Sequence, residues 1–198
     1  MISALLKPTV TRFITPVSRF ALRIGITPNA VTWVGAVGVI TSALYFYPRG
    51  DLFLGTAIIS IFALSDLFDG TMARISKVGA SRWGGFLDST IDRLTDSAIL
   101  IGVALYLINL KDPLAPIVLV AIVSGLLVSY IRAKAESFSI ACTSGFAERT
   151  ERLVISLTAI ALEGLGLAYA LAVGMWLLAI LGVITVFQRM MVVKRAMK

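Results

Sequence analysis

Six stretches of this 198-residue chain are apolar for long enough to cross a bilayer as helices, each needing roughly 20 residues for about 30 Å of hydrocarbon. They run approximately Asn29–Tyr47, Phe53–Ser76, Gly84–Leu110, Pro113–Ala135, Leu153–Ala168 and Tyr169–Val193, the fifth with a start that extends back toward Phe146. Pro48-Arg49-Gly50-Asp51 and Lys111-Asp112-Pro113 separate neighbouring runs as tight polar turns, because proline and glycine end the preceding helix. Links this short make successive helices antiparallel. Ahead of the first run, Leu5, Leu6, Val10, Phe13, Ile14, Val17, Phe20 and Ala21 recur at helical spacing, with Lys7, Arg12, Arg19 and Arg23 between them. That pattern predicts an amphipathic helix lying in the membrane interface, interrupted or bent at Pro8 and Pro16. Thr27-Pro28-Asn29 then reads as a helix start, with Asn29 able to cap.

Composition agrees with lipid as the solvent: 58% of residues are hydrophobic and the mean hydropathy is +0.93, beyond the range of an ordinary soluble domain. The net charge is +7, but the basic residues sit between apolar runs and form no block that would suit nucleic acid. With six spans, all of the 18 Lys and Arg except Arg49 and Lys111 fall on one side, and the positive-inside rule makes that side, with both termini, cytoplasmic. The expected architecture is therefore an all-α, multi-pass protein of the cell membrane. An amphipathic juxtamembrane segment (1–26) leads into one six-helix domain (27–198), with no internal repeat and no secretory signal before Thr27. One cysteine, Cys142, excludes an intramolecular disulfide, and the absence of histidine leaves acid–base chemistry to carboxylates.

Asp66, Asp69, Asp88 and Asp92 carry the most information, because each lies in a segment otherwise suited to lipid, where a charge costs several kcal/mol. Asp66 and Asp69 are three residues apart and Asp88 and Asp92 four, so each pair shares one helix face, about 60° and about 40° apart. The two pairs lie on successive antiparallel helices and can meet. Arg74 and Arg93 are too few to neutralise four acids by ion pairing alone. Two divalent cations would do so, and an all-oxygen donor set selects Mg²⁺ or Mn²⁺. Two such ions about 4 Å apart can hold a pyrophosphate. Gly70, Ala73, Gly84 and Gly85 beside the acids let a ligand approach the backbone, or else pack helices.

Asp66-x2-Asp69-Gly70-x2-Ala73-Arg74 followed by Gly84-x3-Asp88-x3-Asp92 resembles the signature of the CDP-alcohol phosphotransferases, although the nine residues between Arg74 and Gly84 exceed the family's usual spacing. The resemblance implies that Asp66, Asp69 and Asp88 are chiefly metal ligands and that Asp92 is both ligand and general base, with CMP as the leaving group. It implies further that Gly70, Ala73, Arg74 and Ser81 hold the CDP moiety. Asn29 and Thr32 at the first helix start are candidate partners for the cytosine.

The acceptor must be read from the second half of the chain. Arg132, Lys134, Arg149, Arg152 and Arg189 would bind a dianionic phosphate if they converge, or else anchor the helices among lipid head groups. Glu136, Glu148 and Glu151 are available to pair with some of them. Ser129–Glu136, Gly145–Leu153 and Gly174–Leu178 are similar to the corresponding segments of actinobacterial phosphatidylinositol-phosphate synthases. That similarity implies a dimeric enzyme joining CDP-diacylglycerol to inositol 1-phosphate, with Arg132, Arg152 and Arg189, and also Lys134, in the inositol-phosphate pocket. Two alternatives stand beside it. One is the same chemistry with glycerol 3-phosphate; the other is a non-catalytic cation-binding or transport protein built around the acidic cluster.

Overall fold

The computed structural model describes residues 14–76, 79, 81–143, 145 and 148–197. These residues are helical with no strand among them, in the order α1 (residues 14–23), α2 (Pro28–Phe46), α3 (Leu52–Ala63), α4 (Ser65–Ile75), α5 (Arg82–Asn109), α6 (Ala115–Ser137), α7 (Arg149–Gly164) and α8 (Ala170–Ala196). Each expected apolar run has a helical counterpart. Among the described residues four stretches, Pro28–Arg49, Leu52–Ile75, Ala115–Ser137 and Ala170–Ala196, are long and apolar enough to cross a membrane. The other two differ for visible reasons: α5 carries Asp88, Asp92, Arg93 and Asp96 along it, and α7 is only 16 residues long. The residues before Ile14, including Pro8, and Phe146 lie outside the described residues, while Pro16 does not stop α1.

The helices form two compact units, one drawn from residues up to Ser42 and from Ala57–Ala98, the other from Ala43–Thr56 and from Ile99 onward. In the first, α2 starts at Pro28 with Thr27 as its cap, since the Ala30 N–H donates to Thr27 Oγ1 at 3.2 Å. The cap is therefore Thr27 and not Asn29, which leaves the Asn29 amide for other work. Ala36 of α2 packs with Leu87 and Ile91 of α5 as a small core. The second expected run is two helices, because at Leu64 the backbone switches to a tighter bond, Leu64 N–H to Ile61 C=O at 3.3 Å. At that break α2 comes in close: any side chain at Gly35 would collide with Ser65. At the start of α5, Ser81 Oγ accepts the Gly84 N–H at 2.9 Å and caps the helix.

In the second unit, the turn after α2 closes with Gly50 at φ 86, a conformation that favours glycine, while buried Tyr47 and Thr56 share a hydroxyl hydrogen bond of 2.9 Å. The turn before α6 is held by Asp112 Oδ1, which accepts the Leu114 N–H at 2.8 Å. Helix α8 packs on α6 and α7 through a buried stripe that includes Gly174, Leu178, Gly182, Thr185 and Arg189. Helix α7 ends at Gly164, earlier than its apolar run suggests, and Glu163 Oε2 accepts the Leu171 N–H at 2.9 Å to fasten the start of α8.

The approach of α5 to α2 gives a direct stability test. A Cβ on Gly102 would lie 2.5 Å from the Ala43 carbonyl oxygen, which is backbone and cannot swing away. Gly102→Ala is expected to cost about 1–3 kcal/mol as overpacking. Gly85→Ala, in the same helix with nothing within 4 Å of the new methyl, should be neutral or stabilising. Thermal unfolding of the two variants in one detergent checks the contrast; equal melting temperatures would contradict the close contact.

Candidate metal and nucleotide site

Helices α4 and α5 place three of the four signature aspartates together. One carboxylate oxygen each from Asp66, Asp69 and Asp88 lies within 4.8 Å of the others, with Asp69 buried, Asp88 half-buried and Asp66 exposed. The reason is local: the i, i+3 spacing turns Asp66 and Asp69 to one face of α4, and the Ser81 cap starts α5 early enough to bring Asp88 opposite. The set is all oxygen, and the three formal negative charges sit at coordination spacing. That chemistry fits a hard divalent cation. Asp92 is outside this cluster. It is half-buried one turn further along α5, with Oδ2 3.6 Å from Arg93 Nη1.

The three carboxylates line a cavity of about 590 Å³. Its walls include every residue expected to hold the CDP group: Asn29 and Thr32 from α2, Gly70, Ala73 and Arg74 from α4, and Ser81 before α5. Gly84 and Gly85 line it as well, and a Cβ on Gly84 would meet Ser81 Oγ at 3.0 Å and Asn29 Oδ1 at 3.4 Å. Glycine there keeps two polar groups accessible beside the acids.

Two residues take parts that spacing did not reveal. Thr32 Oγ1 donates to Asp69 Oδ2 at 2.6 Å, so this hydroxyl orients a carboxylate of the cluster from the neighbouring helix. Thr71 Oγ1 accepts from Arg74 Nη2 at 3.1 Å and so steadies the guanidinium in the cavity; its i, i+3 relation to Arg74 is the signal by which sequence could have found it. Partners that orient metal-binding carboxylates typically contribute 10–100-fold to affinity. Thr32→Val keeps the shape and removes the hydroxyl, and it is expected to weaken Mn²⁺ binding by roughly 10-fold. Mn²⁺ titration followed by thermal shift of the intact protein reads this without relying on turnover. An unchanged midpoint would remove Thr32 from the site.

The basic residues of the second unit also converge in part. Buried Arg189 of α8 donates from Nη1 to the Val128 carbonyl of α6 at 2.6 Å. Arg152 of α7 lies against α6 at Gly125, where an added Cβ would be 3.7 Å from its Nε. Residues 125, 128 and 132 follow one another on a single face of α6, so the side chains of Arg152 and Arg189 reach the face that carries Arg132. Arg132 pairs there with Glu136 at 2.9 Å. Lys134, two residues beyond Arg132 and hence about 200° around the helix, lies instead in a groove with Phe138 and Met190. Arg149 begins α7.

These arrangements have close counterparts among known proteins. The family model described as CDP-alcohol phosphatidyltransferase matches residues 25–193. A phosphatidylinositol phosphate synthase of Streptomyces avermitilis is 43% identical over 195 residues, covering 93% of this chain and 79% of that protein. Among solved structures, the phosphatidylinositol phosphate synthase of Mycobacterium tuberculosis with CDP-DAG bound superposes with a TM-score of 0.87 at 40% identity, over 92% of this chain and 94% of the other. The same enzyme in complex with manganese and citrate gives 0.85 at 39% identity, over 91% and 88% of the two chains. The chain belongs to the CDP-alcohol phosphatidyltransferase family.

Proposed function

We propose that the protein is a phosphatidylinositol-phosphate synthase, transferring the phosphatidyl group of CDP-diacylglycerol to inositol 1-phosphate with release of CMP. The observation that carries this reading is the cavity in which Asp66, Asp69 and Asp88 stand beside Asn29, Arg74 and Ser81. The arginine face on α6 and the roughly 40% identical synthases named above supply the choice of acceptor.

In this scheme Arg74, steadied by Thr71, binds the diphosphate, and the Ser81 hydroxyl donates to it while its oxygen caps α5. Asn29 offers amide donor and acceptor atoms to the cytosine, which needs both. Gly70 and Ala73 leave room for the diphosphate along α4. Two divalent cations, Mg²⁺ or Mn²⁺, held by Asp66, Asp69, Asp88 and Asp92 would neutralise the charge that develops on the diphosphate. Asp92 accepts the proton of the attacking hydroxyl as its oxygen bonds to the lipid-bearing phosphorus; the bond from that phosphorus to the oxygen it shares with the CMP phosphate breaks. Arg132, Arg152 and Arg189 hold the phosphate of the acceptor and so orient its hydroxyl.

The topology proposed with this reading has six membrane spans in one domain (27–198), both termini and the active site on the cytoplasmic side, and a homodimer in the cell membrane. Helix α1 lies in the interface. Its exposed Val17 and Phe20 are the apolar face that the membrane surface would take.

Purified protein with Mg²⁺ and labelled CDP-diacylglycerol, given each acceptor separately, should form labelled phosphatidylinositol phosphate and stoichiometric CMP with inositol 1-phosphate. Product with glycerol 3-phosphate alone would overturn the acceptor. Absence of acceptor-dependent CMP release with both acceptors would overturn the enzymatic reading in favour of a cation-binding or transport role.

A further inference from the structure

A second groove, of about 420 Å³, opens between the C-terminal ends of α6 and α8. Its walls are apolar, including Phe138 of the α6 cap, Tyr130 of α6, and Met190 and Met197 at the end of α8, all more than half exposed. Two lysines stand over it, Lys134 from α6 and Lys194 from α8, and among the described residues no acidic one lines it. The acid nearest in sequence, Glu136, is engaged by Arg132. The Lys134 ammonium is held 4.8 Å from the centre of the Phe138 ring, at the apolar wall.

A soluble partner would have to cover this surface against the pull of the bilayer, since the groove lies at the ends of two helices long and apolar enough to span it. A zwitterionic lipid would gain little from two ammonium groups. An anionic phospholipid satisfies both features: its phosphate bridges the lysines, and an acyl chain covers the methionines and aromatics. We propose that the groove between α6 and α8 is a binding site for an anionic phospholipid of the surrounding bilayer, read by Lys134 and Lys194 and distinct from the aspartate cavity.

The test uses the full chain in phosphatidylcholine nanodiscs and in detergent with added phosphatidylglycerol, with retained lipid counted by native mass spectrometry. The wild type should retain phosphatidylglycerol at least fivefold over phosphatidylcholine. Lys194→Gln, at an exposed position, should abolish that preference, Lys194→Arg should restore it, and Met190→Trp, which fills the groove, should lower retention of both lipids. Arg152→Ala should leave the preference intact, which separates this groove from the proposed acceptor pocket. Equal retention of the two lipids, or a preference that survives Lys194→Gln or disappears in Arg152→Ala, overturns the proposal. So does a Lys194→Gln variant whose lipid retention is unchanged while its oligomeric state shifts, which would make a second copy of the chain the occupant.

Discussion

Asp92→Asn is expected to lower CMP release by roughly 10²–10⁴-fold, the contribution of a positioned general base, while the protein still folds and still binds Mn²⁺. Asparagine keeps the shape of the side chain and removes only its charge and basicity. The contact with Arg93 is a 3.6 Å pair whose arginine is 37% exposed, so its loss costs little stability. The metal-binding part of the expectation comes from geometry: Asp66, Asp69 and Asp88 close a three-carboxylate set among themselves, and Asp92 stands one helical turn away. Asp69→Asn should therefore weaken Mn²⁺ binding more than Asp92→Asn does, whereas both should fail in turnover. Single-turnover CMP release combined with Mn²⁺ titration separates the two roles. Wild-type turnover in Asp92→Asn would remove it as the base, and a complete loss of Mn²⁺ binding would make it a ligand as important as Asp69.

The same contrast shows what the amino-acid sequence could and could not tell. The three-carboxylate cluster was legible because intramembrane acids are costly and their spacing is helical; two short periodic relations and a reversal of chain direction suffice to bring them together. Thr32 was legible as a residue of the site but not as the partner of Asp69, since the 2.6 Å bond joins positions 37 residues apart and depends on how α2 lies against α4. The break at Leu64 left no trace, because Phe53–Leu64 carries no proline and, apart from Thr56 and Ser60, no polar residue, while the close approach of Gly35 to Ser65 is tertiary. For the basic residues, Lys134 and Arg132 are neighbours in sequence but stand about 200° apart around α6. The convergence of Arg152 and Arg189 on the face of Arg132 is tertiary, set by Gly125 and by the Val128 carbonyl, and no spacing within one helix encodes it.

That convergence makes Arg152→Ala the sharpest test of the acceptor pocket. A guanidinium hydrogen-bonded to a phosphate contributes roughly 1.5–3 kcal/mol, so the KM for inositol 1-phosphate should rise about 10–100-fold at 1.4 kcal/mol per tenfold. The KM for CDP-diacylglycerol should stay within about twofold, because Arg152 is not among the residues that line the cavity proposed to hold the nucleotide. Arg189 is less suitable for this purpose: it is 4% exposed and bonded to the Val128 carbonyl, so truncating it would empty a buried position between α6 and α8 and confound binding with folding. Arg152 is half-buried, with its Nε beside Gly125 of α6. Arg152→Lys should recover only part of the loss, since an ammonium cannot reproduce the two-pronged contact with a phosphate. Equal rises in both KM values, or a fall in kcat with neither KM changed, would mean that Arg152 supports the helices instead of the acceptor. In that case Arg132 and Arg189 alone would have to neutralise the phosphate.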